Sequence, residues 1–243
     1  VNLFLNGVYQ GYYNPVERIT PEFLQKWHGG GAEWDILEQN EGLREGTLDE
    51  WQRLKDFMYS ADFSLPANYV EAGRRLDLTN FVDYLLLNVY IAMGDWPFNN
   101  WRSARERVPG AKWRFYNWDS EVSFGHFFQA RNVQHNEFTN ELALTFTPIS
   151  RFYTRLKASP EFRLFFADRA QHHFQPGGAL HGTNVLNRYE ELRRRMALTI
   201  PAMNDTIPRT WVPQRRDIIF GQMAAEGLLP TAAAPSLSRP GGP

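Results

Sequence analysis

Cysteine is absent from the 243-residue sequence. Its absence excludes disulfide bridges, zinc sites with thiolate ligands and a cysteine nucleophile. The six histidines show no spacing typical of metal ligands, and the adjacent His172 and His173 would point about 100° apart on a helix. We therefore expect this pair to be ordinary surface or boundary residues.

A large excess of charge of either sign is also missing, because the formal net charge is −1. This balance argues against broad electrostatic binding to nucleic acid or anionic lipid. The run Arg193–Arg195 is more typical of a solvated helix face. No segment reaches the roughly 18 consecutive apolar residues of a membrane-spanning helix. We expect no nucleic-acid partner and no membrane span in this sequence.

Apolar residues are plentiful, at 43% of the chain, which suffices for the core of one large domain or two small ones. Residues 1–13 predict a β-hairpin, because apolar residues alternate on either side of Asn6-Gly7, a pair that tolerates the positive φ angles of a tight turn. Thr20 and Pro21 then predict the start of a short helix, as its cap and its first residue.

The most apolar segment lies in the middle of the chain. Thr47 and Glu50 form a capping-box pattern that predicts one helix. A second, buried helix is predicted to begin at Asp77 and to stop at Gly94. Residues 99–119 predict a polar hairpin, and helical patterns dominate the rest of the chain. The sequence thus indicates an α+β fold with a small β portion and a helix-rich body.

Polar side chains gather where the buried helix ends, in the stretch GDWPFNNW. Asp95 is followed after five residues by Asn100, and Asp119 ends the second strand of the predicted hairpin. A hairpin would bring Asp119 beside the two amides, and Mg²⁺ prefers carboxylate and amide oxygens as ligands. From the pattern alone, the alternative is that Asp95 and the Asn pair only cap a helix end and a turn.

An Asp followed after five residues by Asn, with a second Asp on the next hairpin, is the protein-kinase arrangement. Here three stretches carry a more specific likeness: LFLNGVYQGYYNPVERI, LDLTNFVDYLLLNVYIAMGDWPFNNW and KWRFYNWDSEVSFG. On these stretches the sequence resembles the CotH kinase family, the relatives of spore coat protein H, over roughly residues 1–230. The resemblance implies an atypical protein-kinase-like fold, with a mostly helical C-lobe, the last β-hairpin of the N-lobe and a catalytic β-hairpin.

The resemblance also implies roles for particular residues. Asp95 matches the catalytic-loop Asp that accepts or orients the substrate hydroxyl. Asn100, and beside it Asn99, match the amide metal ligand, while Asp119 matches the metal-binding Asp. Glu121 stands where the family often has Asp, so that its longer carboxylate would reach the metal less directly.

Glu17 lies after the predicted first hairpin, near the expected adenine edge. It is assigned either to nucleotide binding or to a structural ion pair. The phosphate-gripping Lys of a kinase lies on an N-lobe strand, and neither Lys26 nor Lys112 has such a context. We therefore expect that Lys to precede Val1.

The expected organisation is an N-terminally truncated kinase-like domain over residues 1–230. A Pro/Ala/Gly linker toward a further domain is expected over residues 231–243. With the N-lobe elements missing, we expect this chain by itself to bind ATP weakly and to have little activity. The resemblance to secreted bacterial members places the full-length protein outside the cell or at its surface.

The leading functional hypothesis is a phosphotransferase that uses Mg²⁺ (or Mn²⁺) and ATP, with a protein Ser or Thr as acceptor. The first alternative is an inactive kinase-like surface, adhesion or interaction module. The second is a carbohydrate-active enzyme in which Asp95 and Asp119 form the carboxylate pair. The tryptophans around the site serve either as packing or as a platform for substrate or adenine; they are Trp96, Trp101, Trp113 and Trp118.

Overall fold

A computed structural model describes residues 1–13, 15–125, 131–197, 199–200, 203 and 205–230. The predicted linker, residues 231–243, lies outside the described residues. Helices form most of the described structure, and the strands form two small antiparallel sheets. This confirms the predicted α+β class.

All the described strands lie before residue 118, interspersed with four helices, and only helices follow. The strands are β1 (Asn2–Leu5), β2 (Val8–Tyr12), β3 (Trp34–Glu38), β4 (Gly42–Glu45), β5 (Trp101–Glu106) and β6 (Arg114–Asn117). The α-helices are α1 (Pro21–His28), α2 (Asp49–Ser60), α3 (Pro66–Arg75), α4 (Leu78–Ile91), α5 (Glu137–Asn140), α6 (Pro148–Leu156), α7 (Pro160–Phe174), α8 (Gly182–Met196) and α9 (Val212–Ala225). Short 3₁₀ turns occupy Gln39–Glu41 and Leu142–Leu144, and a π-helical turn at Ile207–Trp211 leads into α9.

The first hairpin forms as the sequence predicts. Strands β1 and β2 pair antiparallel, with Leu5 opposite Val8, and the turn residues Asn6 and Gly7 have φ angles of 50° and 80°. Both values lie in the left-handed region that this two-residue turn requires. The side chains of the hairpin are largely exposed, and Phe4 and Tyr9 pack on each other there.

The second sheet is larger than the sequence indicates. The predicted central hairpin is present as β5 and β6, but β3 and β4 extend it to the order β4-β3-β5-β6. Strand β3 lacks the alternation of a half-buried strand, because four successive residues from Trp34 to Leu37 are buried. Both faces of β3 are covered, and such strands are hard to recognise from periodicity.

Helix α4 is the buried centre of the fold. The helix was predicted to begin at Asp77, and Asp77 is its N-cap, where its side chain accepts a hydrogen bond from the Asn80 backbone N–H at 3.1 Å. The helix ends at Ile91, and Ala92 adopts the left-handed conformation with φ of 48°. The predicted stop at Gly94 is therefore two residues too late, because the left-handed cap is taken here by Ala92 rather than by the glycine.

The capping box predicted for α2 is absent, since its N-cap is Leu48, whose side chain makes no capping bond. Thr47 instead donates its backbone N–H to the buried Asp35 carboxylate at 2.8 Å. Tertiary contact with β3 thus replaces the local cap. Helix α3 lies in a segment for which the sequence pattern gave no helix prediction.

The main core forms where α4 packs against β6, α7 and α9. Aromatic rings fill its centre, and Trp51 of α2 contacts Trp101, Trp113 and Phe152. On the other face of the sheet, α1 covers a smaller apolar cluster that includes Trp34 and Ile36. Among the described helices, none combines the length and apolar character that crossing a membrane requires.

Candidate functional site

Backbone hydrogen bonds join the segment before the central hairpin to the segment after it. Gly94 donates its N–H to the Val122 carbonyl at 2.6 Å, and Phe124 donates to the Ile91 carbonyl at 2.7 Å. These bonds join the end of the buried helix to the segment that follows Asp119. The loop that carries Asp95 is therefore fixed against the loop that carries Asp119.

Gly94 is required by this close approach. A Cβ atom at this position would overlap the Val122 side chain and approach the Val122 carbonyl to 3.0 Å. We expect Gly94→Ala to lower the free energy of unfolding by about 1–3 kcal/mol, because a methyl group must be inserted into a packed contact. Urea denaturation measures this change.

Gly221→Ala is the matched control, because a Cβ atom in α9 at that position meets nothing within 4 Å. The control should stabilise the protein by about 0.4–1 kcal/mol. Equal effects of the two substitutions would contradict the close approach at Gly94.

Asn100 connects the two acidic residues that the sequence singled out. Its side-chain Nδ2 donates to Oδ1 and Oδ2 of Asp95 at 2.9 and 3.0 Å. The same Nδ2 donates to the backbone carbonyl of Asp119 at 3.1 Å. These bonds use the nitrogen side of the amide, so that the carbonyl Oδ1 of Asn100 is the atom that can ligate a cation.

Backbone conformation also sets the direction of these side chains. Asn100 and Asp119 have φ angles of 58° and 51°, in the left-handed region where Asn and Asp are enriched among non-glycine residues. The backbone N–H of Trp118 donates to the Asn100 carbonyl at 3.3 Å, which closes the hairpin at its base. Asn99, in contrast, contacts Asp95 through its backbone N–H at 2.9 Å, and its side chain is exposed.

Glu121 completes an acidic cluster with Asp95 and Asp119. The pKa of Glu121 is raised, mainly by partial burial. A hydrogen bond with the Asp119 side chain and the negative charges of Asp119 and Asp95 raise it further. Neighbouring carboxylates repel one another when all are ionised. A divalent cation would remove this repulsion, and the oxygen donors of the cluster and of Asn100 fit a hard cation such as Mg²⁺.

A cationic cavity of about 300 Å³ opens beside the acidic cluster. It lies between the segment 18–21 and the sheet, and three arginines, Arg18, Arg44 and Arg102, line it together with Ile36, Glu45 and Trp118. The guanidinium groups of Arg44 and Arg102 each also lie 3.3 Å from the Glu38 carboxylate. Burial lowers the pKa of Arg102, and the negative charge of Glu38 and, to a smaller extent, that of Asp119 oppose this lowering. A cavity of this size with convergent cations suits an anionic small molecule.

The four tryptophans around the site separate into two groups. Trp96, Trp101 and Trp113 are at most 1% exposed, and Trp96 donates its Nε1–H to the Tyr84 hydroxyl at 2.7 Å. These three serve as core packing. Trp118 is only partly buried, and the Arg102 guanidinium lies 4.9 Å from its ring centroid. Trp118 is therefore the one of these four positioned to stack against a ligand in the cavity.

Glu17 is exposed and makes an ion pair. Its carboxylate lies 2.7 Å from Lys26 Nζ and accepts a bond from Trp27 Nε1 at 3.3 Å. The hydrogen bond from Lys26 is the main cause that lowers the pKa of Glu17. This contact supports the ion-pair alternative for Glu17, while the adjacent Arg18 is the residue that lines the cavity.

The cavity residues other than Trp118 were not found from the sequence. Arg18, Arg44 and Arg102 come from three separate segments, so that no spacing connects them. For Arg102 alone, the sequence offered an indication. Arg102 lies two residues after Asn100 and pairs with Tyr116 across the hairpin, and alternate residues of a strand share one face. This spacing would have predicted Arg102 on the same side as Asn100.

A comparison of the sequence with protein-family models finds a match. The model of a family described as "CotH kinase protein" matches residues 1–210. Among curated protein sequences, no significant match is found. The matched range contains the acidic cluster, Asn100 and every residue that lines the cationic cavity.

Proposed function

The chain belongs to the CotH kinase family, and from that premise we propose that the full-length protein transfers the γ-phosphoryl group of ATP to a Ser or Thr hydroxyl of a protein. The proposed cofactor is Mg²⁺, with Mn²⁺ as the alternative hard cation of similar ligand preference. The observation that carries this proposal is the hydrogen-bonded arrangement of Asp95, Asn100 and Asp119 beside the cationic cavity.

Each residue of the arrangement has a distinct proposed task. Asp119 and Asn100 Oδ1 would hold the metal ion, which when bound supplies charge neutralisation at the phosphates. Asp95 orients the acceptor hydroxyl and takes its proton, and the two bonds from Asn100 Nδ2 fix its carboxylate for this task. Glu121 adds negative charge that favours cation binding.

The proposed reaction is a simple displacement. The hydroxyl oxygen of the acceptor forms a bond to the γ-phosphorus as the bond from that phosphorus to the β–γ bridging oxygen breaks, so that ADP leaves. The hydroxyl proton passes to Asp95 and then to solvent. Positioning and charge stabilisation supply most of the rate enhancement in such reactions, since there is little covalent work for the protein.

We place the nucleotide in the cationic cavity. Arg18 and Arg102 line its wall and would contact phosphate oxygens, and the Trp118 ring would stack against the base. Trp118 directly precedes Asp119, so that a base on this ring and a metal-bound phosphate at Asp119 fall within one ligand's reach.

Trp118→Leu should weaken nucleotide binding through loss of stacking. Because one base–aromatic stack contributes about 1–3 kcal/mol, we expect the KM for ATP to rise roughly 5- to 150-fold. Trp118→Phe keeps an aromatic face and should retain most of the affinity. Steady-state kinetics over a range of ATP concentrations measure both variants. A Leu variant with the wild-type KM would remove Trp118 from the nucleotide site.

Two measurements on the purified full-length protein test the proposal, since we expect the present chain by itself to bind ATP weakly. The first is transfer of labelled phosphate from ATP to the protein itself and to an added protein acceptor, followed by identification of the phosphorylated residue type. The second is the melting temperature with ATP and Mg²⁺, compared with ATP and EDTA, because a ligand that binds the folded state raises it. Transfer to Ser or Thr together with a Mg²⁺-dependent shift would support the proposal.

The alternative functions give different results in the same assays. An inactive kinase-like module would show no transfer, and neither ATP nor metal would change its melting temperature. Turnover of a glycan without ATP would instead support a carbohydrate-active enzyme. Either outcome would overturn the phosphotransferase assignment.

A further inference from the structure

A second group of potential metal ligands lies outside the acidic cluster. We define the histidine–carboxylate cluster as His135, Glu137 and Glu141, each of which offers a ligand atom within 4.8 Å of the others. Glu137 begins the short helix α5, and Glu141 directly follows that helix. None of these residues has a role in the proposed phosphoryl transfer.

The two carboxylates of this cluster are buried, with Glu137 0% and Glu141 7% exposed. Arg131 binds one oxygen of each, because its Nη1 lies 2.8 Å from Glu137 Oε1 and its Nη2 lies 3.0 Å from Glu141 Oε1. The second oxygen of Glu137, Oε2, is buried without a hydrogen-bond partner among the described residues. A buried carboxylate oxygen without a partner is costly, so that a ligand at this oxygen would remove the cost.

The spacing of the ligand atoms is consistent with a small cation. His135 Nε2 lies 3.2 Å from Glu141 Oε2 and 3.7 Å from Glu137 Oε1. In a tetrahedral site with metal–ligand bonds of 2.0–2.2 Å, neighbouring ligand atoms are separated by about 3.3–3.6 Å. The observed separations fall on either side of that range. Since Arg131 already contacts Glu137 Oε1, the free oxygen of Glu137 for an ion is Oε2, and the carboxylate would turn to present it.

From these contacts we propose that His135, Glu137 and Glu141 bind a structural divalent transition-metal ion, with Zn²⁺ as the best fit. Imidazole nitrogen with two carboxylates suits Zn²⁺ better than Mg²⁺, which prefers oxygen ligands alone. The site differs from the acidic cluster in its ligand type and in its burial.

The position of the cluster indicates what this ion would stabilise. Arg131, which holds both carboxylates, also donates to the Met93 carbonyl at 2.8 Å. Met93 precedes Gly94 and Asp95. The Arg131 side chain therefore links the histidine–carboxylate cluster to the loop that carries Asp95. The ion would order the segment that supports this loop without contacting nucleotide or acceptor.

The test uses purified protein treated with chelator and then dialysed. Wild type given one equivalent of ZnCl₂ should retain it at 1:1 after dialysis and should melt at a higher temperature than the metal-free protein. MgCl₂ at the same concentration should not reproduce this shift. Absence of both zinc retention and a zinc-dependent shift in the wild type would overturn the proposal, and this measurement does not depend on any variant folding.

Variants locate the bound ion. His135→Ala and the isosteric Glu137→Gln should each weaken zinc affinity by at least about 10–100-fold. His172→Ala, at an exposed histidine, and Asp119→Asn, at the acidic cluster, should leave zinc affinity unchanged. Loss of zinc binding in Asp119→Asn but not in His135→Ala would place the ion at the acidic cluster and refute the inference. The zinc result is also separable from the proposed function, since it requires neither ATP nor phosphate transfer.

Discussion

Asp119→Asn should reduce phosphoryl transfer about 1,000-fold, which corresponds to roughly 4 kcal/mol of transition-state stabilisation. The substitution keeps the shape of the side chain but removes the charge proposed to hold the metal ion. It leaves the backbone carbonyl of Asp119 in place, so that the hydrogen bond from Asn100 Nδ2 is preserved. The loss should therefore be chemical rather than structural.

The matching change at Asp95 should have a different kinetic signature. Asp95→Asn removes the proposed proton acceptor and should lower kcat by about 10²–10⁴-fold with little change in the KM for ATP. Asp119→Asn should instead raise the Mg²⁺ concentration needed for half-maximal rate as well as lower kcat. Rates measured over separate titrations of ATP and Mg²⁺ distinguish the two.

Asp168→Asn is the control for both, because Asp168 is exposed on α7, away from the acidic cluster. It should retain wild-type rates. Full activity in Asp95→Asn and Asp119→Asn would show that the kinase-like arrangement has no catalytic role, even though the residues are in hydrogen-bond contact.

Arg215→Met should cause the largest loss of stability among single substitutions considered for this protein. Arg215 is 0% exposed, and its guanidinium donates to the carbonyls of Tyr90 at 3.1 Å, Val133 at 2.6 Å and His135 at 2.8 Å. It also donates to the Val89 carbonyl. Methionine fills much of the volume but satisfies none of these acceptors.

The expected cost is at least about 3 kcal/mol, because hydrogen bonds from a charged donor contribute roughly 1.5–3 kcal/mol each and several are lost together. The Tyr90 carbonyl keeps a bond from Trp211 Nε1 at 2.8 Å and the His135 carbonyl one from Gln222 Nε2 at 3.3 Å, which limits the loss. Val89 and Tyr90 lie in the last turn of α4, where the Val89 carbonyl otherwise accepts only the long bond from the Ala92 N–H at 3.4 Å. Loss of Arg215 therefore loosens the helix end that precedes Asp95. We expect a lower urea midpoint and reduced phosphoryl transfer together.

Arg216→Met is the neighbouring control, since the Arg216 side chain is 54% exposed and pairs with Asp217 at the surface. Its effect should stay within about 0.5 kcal/mol. If Arg215→Met unfolds completely, Arg215→Lys keeps the charge with fewer donors and should give an intermediate loss. A wild-type midpoint for Arg215→Met would show that water replaces the guanidinium at no cost.

Local patterns in the sequence were sufficient for several elements. The Asn6-Gly7 turn was predicted correctly, because positive φ at two successive residues restricts the choice of amino acid. The α1 start at Pro21 and the Asp77 cap depend on neighbours only a few residues away. The capping box at Thr47 failed, since Asp35 of a distant strand takes the Thr47 backbone N–H.

The same distinction between local patterns and long-range contacts applies to the candidate site. The sequence by itself determined the family and the α+β class. It also brought together Asp95, Asn100 and Asp119, because a two-stranded hairpin returns the chain to its starting point. The roles of these residues, the location outside the cell and the extent of the domain over residues 1–230 stay predictions.

Only the tertiary structure decided which other side chains surround that set. The cationic cavity combines residues from the segment before α1, from β4, from β5 and from the end of the hairpin, so that no periodicity joins them. His135, Glu137 and Glu141 likewise meet because an irregular segment precedes the short helix α5, whereas a regular helix would separate the first two by about 200°. Spacing along a chain specifies contacts only within one regular element or one tight turn, and contacts between elements depend on how the whole core packs.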